Sequence, residues 1–235
     1  MSQGVYFRQL LSGRDFAVGD PVASQMVNFC YVIGDPVSRQ ALVVDPAYDP
    51  QGLLDALAAD DMTLSGVLVT HHHPDHVGGD IFGHSLAGIA ELLALAPVPV
   101  HVNRNEAAWV SRTTGVSAND LTAHEHDDVV TVGEVPVTLL HTPGHTPGSQ
   151  CFLVDGKLIA GDTLFLQGCG RTDFPGGDPE AIYHSLQALA KLTDDPIVHP
   201  GHLYSEKPRA PMSEIVRTNM VYRPNSAQQF VSMFG

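Results

Sequence analysis

The segment Thr70-His71-His72-His73-Pro74-Asp75-His76-Val77-Gly78-Gly79 packs several metal-capable side chains into one short loop and contains the spacing His71-x-His73-x-Asp75-His76. Two histidines at i and i+2 leaving a strand end can point the same way and grip one ion. Asp75 and His76, beyond the turn that Pro74 helps set, face another direction and can grip a second. Gly78 and Gly79 let the backbone bend tightly beside them. Four donors from one loop cannot complete two coordination spheres, so others must come from elsewhere in the chain. His145 in Thr142-Pro-Gly-His-Thr-Pro-Gly148, Asp162 in Ala160-Gly-Asp-Thr163 and His202 in His199-Pro-Gly-His202 stand in like settings. Each sits beside a glycine, directly after an apolar run. A carboxylate such as Asp162 can bridge two ions where a neutral imidazole cannot. These seven donors suffice for two ions sharing a water, and so for metal-assisted hydrolysis without a Ser or Cys nucleophile. The other histidines read as packing, solvent-facing or supporting residues.

Such donors need rigid elements to bring them together. Residues 27–33 and 41–44 read as strands joined by a turn at Gly34-Asp35-Pro36. Asp49-Pro50 is an N-cap followed by Pro at N1, with Leu53, Leu54, Leu57 and Ala58 as the apolar face of the helix. The run 66–70 is a buried strand that delivers the histidine loop. Residues 86–95 read as helix, 98–102 as strand and 104–113 as a second helix. Strands are expected at 135–141, 151–154 and 158–160. Asp178-Pro179 opens another helix carrying Ile182, Leu186, Leu189 and Ala190, and 196–199 closes with a strand. Strands and helices alternate in both halves, which gives an α/β layered architecture.

Composition narrows the partners. With 12 Lys+Arg against 26 Asp+Glu, the net charge of −14 disfavours nucleic acid, whose binding needs clustered cations. No export signal is expected at the start of the chain and no membrane span along it, since the most apolar stretch, 86–100, contains Glu91, Pro97 and Pro99. Cys30, Cys151 and Cys169 lack a C-x-x-C spacing and fit a reducing cytoplasm.

The order His71-x-His73-x-Asp75-His76, His145, Asp162, His202 resembles the metallo-β-lactamase superfamily over nearly the whole chain. The resemblance implies an αββα four-layer sandwich, one domain over 1–235, with metals at one edge. It implies that His71, His73 and His145 hold a first metal, that Asp75, His76 and His202 hold a second, and that Asp162 bridges them. Asp45, in Val43-Val-Asp-Pro46, matches the family's acidic residue at the end of an early strand and reads as support for the site rather than a ligand. Gly161-Asp-Thr-Leu-Phe165, Gly168-Cys-Gly-Arg-Thr-Asp-Phe174 and Pro200-Gly-His202 resemble the glyoxalase II and persulfide dioxygenase branch, the 168–174 loop especially the latter. Where glyoxalase II carries a Lys and aromatic residues after Gly-Cys-Gly, Arg171-Thr172-Asp173 stand here.

The expected function is hydrolysis of a small thioester or ester with two Zn(II) per chain, Asp75 orienting the attacking water as well as ligating. The alternative carried by the resemblance is a persulfide dioxygenase. There one Fe(II) is held by His71, His145 and Asp162, and His73, Asp75, His76 and His202 surround it. A non-catalytic metal-binding scaffold is the third reading. Arg171 has two readings, a bidentate grip on a substrate carboxylate or a salt bridge to Asp173 or Asp178. Tyr204 is a candidate substrate contact. The stretch 81–130 is a candidate lid or homodimer surface.

Overall fold

Two runs of strands, each with its own helices, pair into two six-stranded sheets in the computed structural model, which describes residues 4–81 and 83–235. The first run comprises β1 (Tyr6–Leu11), α1 (Pro21–Met26), β2 (Phe29–Asp35), β3 (Gln40–Val44), α2 (Pro50–Ala59), β4 (Thr63–Leu68), α3 (Pro74–Val77), the hairpin of β5 (Gly79–Ile81) and β6 (His84–Leu86), α4 (Ile89–Leu95), β7 (Val100–Asn103), α5 (Ala107–Thr114) and β8 (Leu121–His124). The second comprises β9 (Val129–Val132), β10 (Val135–His141), β11 (Gln150–Val154), β12 (Lys157–Gly161), α6 (Pro179–Leu189), β13 (Ile197–Pro200), β14 (Ala210–Pro211), α7 (Met212–Thr218) and α8 (Ala227–Phe234). The first sheet runs β1-β2-β3-β4-β7-β8 and the second β14-β13-β12-β11-β10-β9.

Alternation along the strands sorts side chains between layers. Phe29, Tyr31 and Ile33 of β2 face the second sheet and meet Val137, Leu139, Phe152 and Ile159 there. Cys30 and Val32, one residue out of step, face the helices with Leu53, Leu57, Ile89 and Leu92. Because both faces are covered, β2 is buried at all seven positions and its sequence reads as one apolar run. On the far side, Leu158, Val198, Leu186, Leu189 and Phe230 join the second sheet to its helices. Fully burying such a side chain stabilises the fold by roughly 1.5–3 kcal/mol. The layer order is therefore helix, sheet, sheet, helix, the expected αββα sandwich.

The expected caps form. Asp49 accepts from the Gly52 N–H at 2.9 Å, and Asp178 accepts from the Glu180 and Ala181 N–H groups at 2.9 Å. Several expectations need correction. Ala58 is exposed, because the stripe of α2 that packs runs through Leu53 and Leu57, one turn apart, with Leu54 half-buried beside them. The stretch 86–95 divides, with β6 ending at Leu86 and α4 starting only after Gly88, whose N–H donates to Glu91 at 2.7 Å. The stretch 81–130 is woven into the fold rather than laid over it as a lid, since it supplies β7 and β8 to the first sheet and α5 beside the site. No helix among the described residues is long and apolar enough to cross a membrane.

Candidate metal centre

The seven donor residues converge at one rim, where strands of both sheets end. His71 follows β4, and α3, a single turn with Pro74 at its start, carries Asp75 and His76. His145 follows β10, Asp162 follows β12 and His202 follows β13. Gly78 (φ 85°) and Gly79 (φ 124°) close the turn behind α3; a Cβ on Gly78 would lie 2.7 Å from the Gly88 backbone. The His145 loop rests on the start of α6. Asp178 N–H donates to Gly144 O at 2.8 Å, and a Cβ on Gly144 would lie 2.2 Å from Ile182 N.

Hydrogen bonds between the halves fix the rim. Gln150 donates to Val69 O through its amide at 2.8 Å and to Thr70 O through its backbone at 3.0 Å. Phe29 N–H donates to Gly201 O at 2.7 Å and Leu203 N–H to Val27 O at 3.0 Å. The loops bearing His71 and His202 are thereby tied to the opposite half of the molecule.

Two groups of donors result. His71, His73 and His145 present nitrogens to one another, with His145 Nε2 3.0 Å from His73 Nδ1. In the second group, Asp75 Oδ2 lies 3.4 Å from His202 Nε2 and 3.6 Å from His76 Nε2, and the two nitrogens are 3.2 Å apart. Asp162 stands between. Its Oδ1 is 3.5 Å from His76 Nε2, and its Oδ2 is 3.4 Å from His202 Nε2 and 3.7 Å from His145 Nε2. His71 Nε2 and Asp162 Oδ1 are buried with no hydrogen-bond partner among the described residues. Buried polar atoms are ordinarily paired, so inward-facing lone pairs without partners suit a bound cation. A set of five imidazoles and two carboxylates fits zinc or iron.

The outward nitrogens of the rings are also held. His76 Nδ1 is 2.9 Å from Asp45 Oδ2, His202 Nδ1 is 2.8 Å from Met26 O, and His145 Nδ1 is 2.6 Å from Arg171 O. A donor hydrogen on Nδ1 leaves the Nε2 lone pair facing inward. Asp45 also accepts from the Thr70 backbone N–H at 2.8 Å and from its hydroxyl, so one carboxylate braces both β4's exit and His76.

Burial, then the neighbouring imidazoles, push His71 down, and the same causes bring His73 to about 3. Burial likewise lowers His145, against the pull of Asp162. The second group responds in the opposite sense. Burial there is outweighed by Asp75, Asp162 and Asp45, which push His76 up to about 10. Burial would raise the Asp162 carboxyl, yet His202 and His76 hold it well below the usual carboxylate range. Two carboxylates facing this group favour positive charge there.

The rim opens into a cavity of about 630 Å³. Tyr204 lines it, stacked on His202 (centroids 4.6 Å apart, 8° between planes) and edge-on to Phe165 at 5.1 Å. Arg171 lines it too, but its guanidinium is spent on Asp173 through contacts of 2.9 and 2.6 Å and on the face of Phe174. Of the two readings of Arg171, the structure forms the salt bridge, to Asp173.

Sequence reasoning missed three residues around the site, Asn28, Glu106 and Arg112, and read a fourth, Trp109, as core or lid packing. Asn28 Nδ2 donates to Asp75 Oδ2 at 3.1 Å and lies 3.3 and 3.5 Å from the Nε2 atoms of His76 and His202, while its Oδ1 accepts from the Tyr48 hydroxyl at 2.8 Å. Glu106, 1% exposed, accepts from the His72 backbone N–H at 2.8 Å, pairs with His72 Nδ1, and accepts from Gly148 N–H at 2.7 Å. Trp109 stacks on His72 at 4.9 Å and Arg112 lies over the Trp109 ring at 4.8 Å. None belongs to a motif; the i, i+3 spacings of Glu106, Trp109 and Arg112 on a helix were the one available signal.

The sequence profile of the metallo-β-lactamase superfamily matches residues 24–202. A "Probable polyketide biosynthesis zinc-dependent hydrolase BaeB" of Bacillus velezensis is 30% identical over 207 residues, covering 87% of this chain and 86% of that one. A "Hydroxyacylglutathione hydrolase" of Tolumonas auensis is 35% identical over 186 residues, covering 78% of this chain but only 64% of its own length. Among solved structures, ETHE1 from Myxococcus xanthus superposes with a TM-score of 0.79 at 30% identity, covering 97% of this chain and 89% of that one.

Proposed function

The chain belongs to the metallo-β-lactamase superfamily, and on that premise we propose that it hydrolyses a small thioester or ester with two zinc ions. The observation that carries the reading is the meeting of two donor groups at Asp162. His71, His73 and His145 would hold one ion, Asp75, His76 and His202 the other, and Asp162 both. When bound, the ions supply a nucleophile at neutral pH, by lowering the pKa of water, and polarise the scissile carbonyl.

The chain's own side chains do the rest. Asp75 reaches the cavity and orients the attacking water through its carboxylate, which Asn28 holds in place. Asp45 fixes the ring of His76, and Met26 O that of His202. Tyr204 and Phe165, edge-on to each other, offer the bound ester an aromatic corner. A thiol leaves readily as thiolate near neutral pH, so a thioester needs no dedicated proton donor. Two zinc-dependent or thioester-cleaving relatives, BaeB and the hydroxyacylglutathione hydrolase, support the same reading by name.

The likeness to ETHE1, together with the 168–174 loop, favours a second reading, a persulfide dioxygenase with one Fe(II) held by His71, His145 and Asp162. Metal analysis of anaerobically purified protein separates the two. Close to two zinc per chain with thioester hydrolysis supports the first. One iron, with O₂ uptake on glutathione persulfide and no hydrolysis, replaces it with the second.

A further inference from the structure

Arg112 sits in the wall of the cavity that contains the metal-capable residues, on the last turn of α5, with its side chain exposed. A ladder of contacts leads out to it. Buried Glu106 fixes the His72 ring, His72 stacks on Trp109 with 28° between planes, and the Arg112 guanidinium lies over the other ring of that pair. An arginine laid on an indole face keeps its charge and its fork of N–H donors while losing rotamer freedom before any ligand arrives. The two arginines that line this cavity differ in their partners. Arg171 is neutralised by Asp173, whereas no carboxylate among the described residues lies within 4.0 Å of the Arg112 side-chain nitrogens. Asp80 lines the same cavity, but its Oδ1 accepts from Gly83 N–H and forms no ion pair with Arg112. In a chain of net charge −14, a preplaced cation left without a partner at a cavity rim is an anion handle.

We propose that Arg112 is a specificity-determining residue that grips an anionic group, carboxylate or phosphate, on the thiol half of the substrate. The assignment to the thiol half follows from depth. The donors are buried, so the acyl carbon must enter to the inner end of the cavity, among the carboxylates Asp75 and Asp162. With a short acyl group at the buried donors, the thiol half is the part that trails toward the exposed rim where Arg112 stands.

This inference rests on the thioester reading, and its test separates the two. Zinc-loaded protein is titrated calorimetrically with three thioether probes: S-propylglutathione, which carries carboxylates; S-propyl-4′-phosphopantetheine, which carries a phosphate; and uncharged S-propyl-N-acetylcysteamine. Arg112→Gln is expected to weaken at least one anionic probe about tenfold, with no comparable loss for the uncharged one, and Arg112→Lys to recover part of the loss. The probe that loses affinity identifies whether carboxylate or phosphate is the group gripped. Equal affinities in wild type and Arg112→Gln, or an equal loss on all three probes, overturns the proposal. The propionyl thioesters of the same thiols are assayed in parallel. Turnover of none of them refutes the hydrolase, while the binding ratios still decide the role of Arg112.

Discussion

Glu106→Ala removes a carboxylate that touches neither the cavity nor the inward donor atoms, yet it should be costly. Two backbone N–H groups, of His72 at 2.8 Å and Gly148 at 2.7 Å, and the His72 ring all end on this one side chain. Alanine offers no acceptor, and each buried donor left unpaired costs about 1–3 kcal/mol. Water entering the space can satisfy some of them, so the expected loss is about 4 kcal/mol, a large share of the roughly 5–15 kcal/mol typical of a folded domain. The effect on metal should follow, because His72 lies between His71 and His73, and Gly148 closes the loop of His145. Loosening what stands behind ligands typically weakens metal binding about 10–100-fold. Urea unfolding of the metal-free protein gives the first quantity, and zinc competition against a chromophoric chelator gives the second. Glu106→Gln, which keeps an acceptor, should fall between. A Glu106→Ala protein within about 1 kcal/mol of wild type, with unchanged zinc affinity, would show that these bonds are incidental to the loops they join.

Other substitutions test other parts of the rim. Asp162→Ala should abolish activity under either metal chemistry, since this carboxylate faces both donor groups, whereas His202→Ala should abolish hydrolysis but leave persulfide oxidation largely intact; assays of the two reactions on both variants check this. Asn28→Ala removes the amide that holds the Asp75 carboxylate in place, so cobalt titration followed by absorbance should show the second ion binding about tenfold more weakly. Burial, then His124, lowers His101 from 6.5 to about 4, so the unfolded chain takes up a proton before the folded one does. His101 therefore favours the fold fully above pH 6.5, and that contribution is lost as pH falls toward 4. Urea midpoints of the metal-free protein across this window should slope less steeply in His101→Gln.

The donors were legible because four crowd into the single loop His71–His76 after an apolar run, while the other three, His145, Asp162 and His202, each stand beside a glycine after an apolar run. The strands in the middle of each sheet were legible for a related reason. Residues 29–33 and 41–44 are buried at every position, so their apolar character is unbroken, whereas 135–141 alternates, with Pro136 exposed and Thr138 half-buried between buried Val and Leu residues. Edge strands gave weaker signals. β1 mixes Arg8 and Gln9 with apolar residues, and β8 (Leu-Thr-Ala-His) has no fully buried residue. The supports of the site were hidden more deeply. Glu106 acts on residues 34 and 42 positions away, and Asn28 on one 47 away, so their roles arise from how distant segments pack. Arg112 carried no motif, and its meaning came from the partner it lacks.

The seam between the halves gives the rim a mechanical role. Four of the donors belong to the first half of the chain and three to the second, so neither half alone possesses the cage. An ion that enters acts as a clasp, and its capture free energy becomes adhesion between two sandwiched leaves. At a free concentration one hundred times its dissociation constant that clasp adds about 2.7 kcal/mol to the folded state. Withdrawing the metal thus loosens the joint between the two sheets at the edge where substrate must enter.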